Sequence, residues 1–255
     1  MIDIHTHILP GIDDGAANEE QALQMARAAV ADGIHTLIAT PHHYNGKYTN
    51  PGAMVRERVQ ALNALLQANG VDVQVLPGQE VRLNRELLDE LQSGVTIGLH
   101  DTTYVLLELP SSDVPSYTEE MLHELLLMGR IPIIAHPERN AVLASDTEQL
   151  SRLIEAGALA QLTSHSINGV YGRKLQKLCF TWCKQGLIQF VSSDAHNVEH
   201  RAFHLRQAYE AVREQCGSDM TDYLMGNAER LVAGELVRVR TAAVASGRKW
   251  WKLWG

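Results

Sequence analysis

A chain of 255 residues with 45% hydrophobic and 20% charged side chains can bury one large core and has an ordinary globular composition. Its formal net charge of -8 argues against a general nucleic-acid surface unless bound metal or local charge reverses it. No apolar run approaches the ~20 residues that span a bilayer, and no signal-peptide pattern precedes the first strand. The expectation is therefore a cytoplasmic chain, with one domain over residues 1–240 and a tail over 241–255.

The opening stretch, MIDIHTHILPGIDDG, reads as a short strand, Met1 to Ile4, running into a loop that carries His5, His7, Asp13 and Asp14. Two imidazoles one residue apart with carboxylates beyond them are ligand types that divalent first-row metals favour. Ordinary strands also carry His-x-His with both rings on one face, so the pattern alone decides nothing. Leu23, Ala26 and Val30 recur at helical spacing in a helix over Glu19 to Asp32 that stops at Gly33. The next strand, His35 to Ala39, ends where Pro41 biases Thr40 towards an extended conformation, so His42 emerges at its C-terminal edge. Tyr44 to Pro51 reads as an exposed loop, and Val55, Val59, Leu62 and Leu66 mark a helix ending near Gly70.

A third strand, Val71 to Leu76, places Glu80 just beyond its end, and a short helix follows around Arg85 to Gln92. The apolar run Tyr104 to Leu109 contains Glu108, a carboxylate that costs several kcal/mol if buried without a partner. A helix over Thr118 to Met128 leads to the strand Ile131 to Ala135, which delivers His136 and Arg139. The pattern then repeats: helix Thr147 to Ala156, strand Leu159 to Leu162, helix Arg173 to Gln185, strand Ile188 to Val191. That last strand runs into Ser192-Ser193-Asp194-Ala195-His196, before helices over Ala202 to Gln215 and Ser218 to Met225.

Seven strands alternating with helices imply a parallel sheet with helices outside it. His5, His7, Asp14, His42, Glu80, Glu108, His136, Asp194 and His196 all fall at C-terminal strand ends, where barrel enzymes place their chemistry. Because the polar cluster comes from almost every strand, a (β/α)7 barrel is favoured over an open doubly wound sheet, whose site lies in one crevice. The set exceeds what one four-coordinate ion needs, so two or three ions are implied. Of the other histidines, His35 is expected as a core or interface residue inside its strand, and His100, His123, His200 and His204 as solvated. His43 and His165 lie near the right face and could line the site without binding metal.

These motifs, continued through ATPHH, GQE, LLELP, AHPERN and SSDAHN to GNAERLVAGE, resemble the polymerase and histidinol phosphatase (PHP) superfamily over nearly the whole chain. ILPGIDDG, Glu108 and AHPER narrow the resemblance to bacterial manganese-dependent tyrosine-protein phosphatases that act on kinases of capsule and exopolysaccharide synthesis. The resemblance implies a distorted seven-stranded, TIM-like barrel holding three divalent ions, Mn by family and Fe or Zn by ligand type. One would be held by His5, His7, Glu80 and Asp194, and a second by the bridging Glu80 with Glu108 and His136. Asp14, His42 and His196 would hold the third. It also implies that Arg139 and an arginine after the last motif, Arg201 or else Arg206, grip phosphate.

Metal ions lower a bound water's pKa towards ~7 and offset phosphoryl charge, which suits phosphomonoester hydrolysis. The thiol route of other tyrosine phosphatases is excluded, because the positions six residues after Cys179, Cys183 and Cys216 are Gln185, Gln189 and Asp222 rather than arginine. The three thiols form no disulfide framework, and Cys179 and Cys183 share a helical face suited to burial. The expected partner is a phosphotyrosine-bearing protein, a membrane-associated bacterial tyrosine kinase, with no nucleic acid. Rival readings are another PHP phosphoesterase, acting on histidinol phosphate or nucleic-acid ends, and a metal-stabilised interaction module. In the tail, GRKWWKLWG joins indoles to basic residues, a composition that fits either a membrane interface or packing on protein.

Overall fold

The computed structural model describes residues 1–240, and the tail expected over 241–255 lies outside them. In chain order the elements are β1 (Ile2–Thr6), α1 (Glu19–Asp32), β2 (Thr36–Ala39), β3 (His42–His43), α2 (Gly52–Ala68), β4 (Gln74–Pro77), β5 (Glu80–Arg82) and α3 (Leu87–Ser93). They continue with β6 (Tyr104–Glu108), α4 (Thr118–Leu127), β7 (Ile131–Ala135), α5 (Ala141–Ser145), α6 (Thr147–Glu155), β8 (Leu159–Thr163) and α7 (Ser164–Ile167). The last are α8 (Arg173–Lys184), β9 (Phe190–Ser192), α9 (Leu205–Cys216) and α10 (Ser218–Val232). Local signals act as expected at α1. Asn18 caps its N-terminus by accepting from the Gln21 N–H, Glu19 and Glu20 face the positive end of its dipole, and Gly33 closes it at φ 85°.

Two of the seven expected strands end at a break, beyond which a second short strand, absent from the expectation, takes over. Pro41, which has no N–H to donate, separates β2 from β3, and Gly78-Gln79 separates β4 from β5. The breaks hand the ladder from a three-stranded sheet, β1-β2-β4, to a six-stranded one, β3-β5-β6-β7-β8-β9, with every pairing parallel. Strand order never reverses, so there is no switch-point crevice. The end of β9 returns to β1: the Asp194 N–H donates to the His5 carbonyl (3.0 Å) and the His7 N–H to the Ala195 carbonyl (2.9 Å). The result is a distorted, TIM-like barrel whose ladder is interrupted rather than continuous.

Inside, the strands divide the barrel into layers. Ile4, Ile38, Leu76, Leu106, Ile133, Leu159 and Phe190 form an apolar floor with Ala228 and Leu231 of α10. Two residues further along, on the same face by the two-residue period of a strand, stand Glu108, Gln161 and Ser192. Inward positions thus change from apolar to polar towards the C-terminal ends, and that change creates the site. In β1 the register passes from Asp3 opposite Leu37 to Thr6 opposite Ala39, leaving two residues against Ile38. This bulge lets Ile4 join the floor and its neighbour His5 enter the polar layer, although adjacent strand residues normally face apart.

His35 departs from the expectation: it precedes β2, is exposed, and donates or accepts at the neighbouring Thr36 hydroxyl rather than packing in a core. Ile34 supplies the buried side chain there. α10 continues to Val232, past the expected end at Met225, because Leu224, Ala228 and Leu231 bury one helical face across Gly226. No helix among the described residues is long and apolar enough to cross a membrane.

Candidate metal centre

His5 and His7 are buried at the end of β1 with their Nε2 atoms 3.3 Å apart. The Nδ1 atom of His7 lies 2.6 Å from Asp13 Oδ2, and that of His5 lies 3.0 Å from Gln161 Oε1. A carboxylate only accepts, and the Gln161 amide nitrogen is turned to the Leu162 carbonyl, so both Nδ1 atoms donate, and in the neutral rings both Nε2 atoms carry lone pairs. Two lone pairs facing each other in a buried site repel unless a cation or proton lies between them. Gly15 makes this loop feasible, since a Cβ at that position would collide with the His7 carbonyl.

Glu80 is fully buried at the start of β5. Its Oε1 lies 2.6 Å from His136 Nε2, and its Oε2 lies 3.5 and 3.4 Å from the Nε2 atoms of His5 and His7 and 2.8 Å from His42 Nδ1. Asp194 Oδ1 stands 3.4 and 3.3 Å from the same two Nε2 atoms. On the outer side, Asp14 Oδ1 lies 3.4 Å from His42 Nε2 and 3.3 Å from His196 Nε2. Potential ligand atoms fall within 4.8 Å of one another in three overlapping sets: His7, Asp14, His42 and His196; His5, His7 and Glu80; and His42, Glu80 and Glu108. The structure thus brings together all nine residues picked from strand ends, with His136 entering through Glu80.

The donor set fits divalent ions on its own evidence. His42 Nδ1 and Glu80 Oε2 lie 2.8 Å apart and His196 Nε2 lies 3.3 Å from Asp14 Oδ1, yet none of these three buried atoms makes a well-directed hydrogen bond among the described residues, a costly state that coordination would relieve. Electrostatics agree. Burial pushes Glu80 up, but His5, His42 and His136 outweigh it and hold the carboxyl well below its usual range. Asp194 is likewise held well down against burial by His5, His7 and Arg201. Burial would lower His7, yet Asp13 and the carboxylates facing it raise it well above the ordinary imidazole value. His196, buried beside His7, is instead pushed down to about 4. Glu108 is raised by burial and by the charge of Glu80. Backbone strain accompanies the cluster: His136 and Asp194 adopt φ 33° and 55°, left-handed conformations that cost about 1–3 kcal/mol each.

Glu108 finds the partner its burial demands in Arg82, whose Nε and Nη2 lie 3.1 and 3.0 Å from Oε2. Arg139 Nη1 and Arg201 Nη2 donate to Asp194 Oδ2 at 2.5 and 2.7 Å, and each guanidinium keeps other N–H groups at the mouth. Arg206, the alternative to Arg201, is held away from the cluster by the Asp32 carbonyl at the end of α1. His43 turns aside: its buried Nδ1 accepts from the Asn50 N–H, and burial pushes it down to about 4. His165 is buried in α7 beside Tyr171 and His204, outside the ligand sets. His123, His200 and His204 are exposed and His100 half-buried. Sequence reasoning did not find the roles of Asp13, Gln161 and Arg82. Asp13 stood out only as one more carboxylate of the first loop, and Gln161 left its signal as a glutamine inside the otherwise apolar strand LAQLT.

The profile of a family described as capsular polysaccharide synthesis, CpsB/CapC, matches residues 1–233. The chain is 44% identical over 237 residues to tyrosine-protein phosphatase YwqE of Bacillus subtilis, covering 93% of each. It is 25% identical over 243 residues to tyrosine-protein phosphatase CpsB of Streptococcus pneumoniae, covering 93% of this chain and all of that one. A solved structure from work on those two proteins, described as metal-dependent tyrosine phosphatases, superposes with a TM-score of 0.93 at 43% identity, covering 95% of this chain and 98% of the other. A phosphotriesterase from Mycobacterium tuberculosis, at 10% identity, TM-score 0.56 and coverage of 91% and 92%, shares the fold alone.

Proposed function

The chain belongs to the CpsB/CapC family of capsular polysaccharide synthesis, and from that premise and the strand-end cluster we propose that it is a metal-dependent protein-tyrosine phosphatase. The observation that carries the reading is the convergence of His5, His7, Asp14, His42, Glu80, Glu108, His136, Asp194 and His196, with three of their buried polar atoms lacking a well-directed hydrogen bond, beside two arginines. We assign His5, His7, Glu80 and Asp194 to one ion, Glu80, Glu108 and His136 to a second, and Asp14, His42 and His196 to a third. Mn is favoured over Fe or Zn by family. Divalent ions bound there lower the pKa of water and neutralise phosphoryl charge.

The residues themselves prepare the substrate. Arg139 and Arg201 are fixed through Asp194, so their remaining N–H groups stand ready to grip phosphoryl oxygens in a planar fork. A pocket of about 120 Å³ lined by Glu108, Ser111, His136, Arg139 and Asn140 opens beside them. Every well-placed carboxylate and imidazole is assigned as a ligand, His43 turns away and His165 sits behind Tyr171, so no strong proton donor stands at the cluster among the described residues. A phenolate, with a pKa near ~10, departs without one, whereas a serine or histidinol alkoxide needs it. The physiological substrate is then a phosphotyrosine protein; the family description supports a role in capsular polysaccharide synthesis, and the resemblance of the sequence favours a membrane-associated tyrosine kinase. The tail over 247–255, outside the described residues, has a composition that suits contact with that membrane or with protein, and deletion with vesicle binding would separate the two.

The deciding experiment strips the protein of metal, restores ions singly, and compares phosphotyrosine peptide, phosphoserine peptide and histidinol phosphate. Much faster turnover of phosphotyrosine is expected, with Arg139→Ala disabling turnover while the ions stay bound. Comparable rates on all three would overturn the assignment.

A further inference from the structure

Four of the large hydrophobic side chains exposed among the described residues, Tyr44, Val170, Tyr171 and Val198, lie in loops that follow the C-terminal ends of β3, β8 and β9, around the mouth of the cluster. Tyr171 is the one tied to the phosphate-gripping machinery: the Arg139 guanidinium carbon lies 5.9 Å from its ring centroid. The ring is 46% exposed, and its hydroxyl makes no hydrogen bond among the described residues. It is carried on a turn that is firmly bonded. The Val170 N–H donates to the His165 carbonyl at 3.0 Å and the Gly172 N–H to the Gly169 carbonyl at 2.9 Å, while Asn168 reaches the His204 carbonyl at 3.0 Å. Gly169 and Gly172, at φ 80° and 95°, give the turn a conformation that other residues resist. Behind Tyr171 the buried His165 ring packs at 6.3 Å. The bonded turn thus holds the Tyr171 ring in water at the rim of a polar site, beside the guanidinium assigned to phosphate.

We propose that Tyr171 is a specificity-determining residue that receives the aromatic ring of the phosphorylated side chain while Arg139 holds its phosphoryl group. This rests on the aryl phosphate reading above. A phosphotyrosine whose oxygens meet Arg139 carries its ring one ester oxygen away, on the side where Tyr171 borders the guanidinium. Two rings there gain offset or edge-to-face contact, whereas an alkyl phosphate offers nothing for Tyr171 to touch. The contact persists unchanged from bound substrate to transition state, so its loss raises KM and leaves kcat nearly intact.

The test uses the metal-loaded full chain and two non-hydrolysable probes, phenylphosphonate and methylphosphonate, with binding measured by calorimetry. Tyr171→Ala is expected to weaken phenylphosphonate roughly three- to ten-fold without changing methylphosphonate, with Tyr171→Phe restoring the parent affinity. The KM for phenyl phosphate should rise by the same factor. Unchanged phenylphosphonate affinity in Tyr171→Ala would overturn the proposal. Equal weakening of both phosphonates would also overturn it, by showing that the ring serves only to steady Arg139. Failure of the unsubstituted protein to turn over phenyl phosphate while discriminating the two phosphonates through Tyr171 would remove the phosphatase reading and leave aryl recognition standing.

Discussion

Asp13 lies outside the nine strand-end residues, yet replacing it should loosen the whole cluster. Its Oδ2 accepts from His7 Nδ1 at 2.6 Å and from the His42 N–H at 3.2 Å, and its Oδ1 accepts from the Gly15 N–H at 3.0 Å. Asp13→Asn preserves shape but presents one acceptor where two are used. If the amide oxygen faces His7, the NH2 group meets the Gly15 N–H; if it is flipped, the NH2 group meets His7. One charge-assisted buried bond is therefore lost, worth about 1.5–3 kcal/mol, and urea unfolding of the metal-free protein should show a deficit of about that size. The deficit has a defined pH dependence. Asp13 raises His7 above its unfolded value of ~6.5, so this stabilisation is complete below that value and fades as pH rises through the folded value. Asp13 itself is depressed against burial by His7, so its share is present above ~3.9 and fades as pH falls through its folded value. The difference between parent and variant should thus be greatest between about pH 4 and 6.5. In the metal-loaded protein, removing the carboxylate that orients a ligating imidazole typically weakens metal binding about 10–100-fold, measurable by competition with a chromophoric chelator. Affinity unchanged for every ion would refute the reasoning, by showing that β1 alone orients His7.

Metal analysis of the native protein is expected to find more than one divalent ion per chain, and Glu80→Gln should lower occupancy more than Asp14→Asn, because the Glu80 oxygens face four imidazoles; a single ion with full activity would refute the shared-ligand assignment. His43, pushed down to about 4 by burial, contributes stability that is complete above ~6.5 and falls as pH drops towards 4. His43→Asn should therefore lose less stability than the parent between pH 7 and 5 (roughly the upper part of that window), as read from urea midpoints. Leu106→Ala opens a cavity in the barrel floor and should cost about 2–5 kcal/mol, detectable as a lowered urea midpoint with metal stoichiometry retained.

The alternation of apolar runs and amphipathic segments determined the parallel α/β class, and local chemistry determined where its strands stop. Pro41 ends one strand and Gly33 one helix through backbone geometry that needs no tertiary partner. The site residues were legible for the same reason: a polar side chain at the end of an apolar strand is a local pattern, and His5, His7, His42, Glu80, Glu108, His136, Asp194 and His196 all follow it. Tertiary structure decided what the period of a strand cannot encode. The bulge that turns both Ile4 and His5 inward exists only in the register of β1 against β2, and a simple alternation would have sent one of them outward. The partners of the ligands lie far away in sequence: Gln161 meets His5 across 156 residues, and Arg82 meets Glu108 across 26. Such pairings depend on which strands become neighbours, and no residue type announces them. His35 went astray because the first residue of an expected strand can face either layer until its neighbours pack, and the burial of Ile34 settled it. Arg201 and Arg206 have the same chemistry five residues apart, and only the turn after Asn197 and the start of α9 separate the guanidinium that reaches Asp194 from the one held at Asp32.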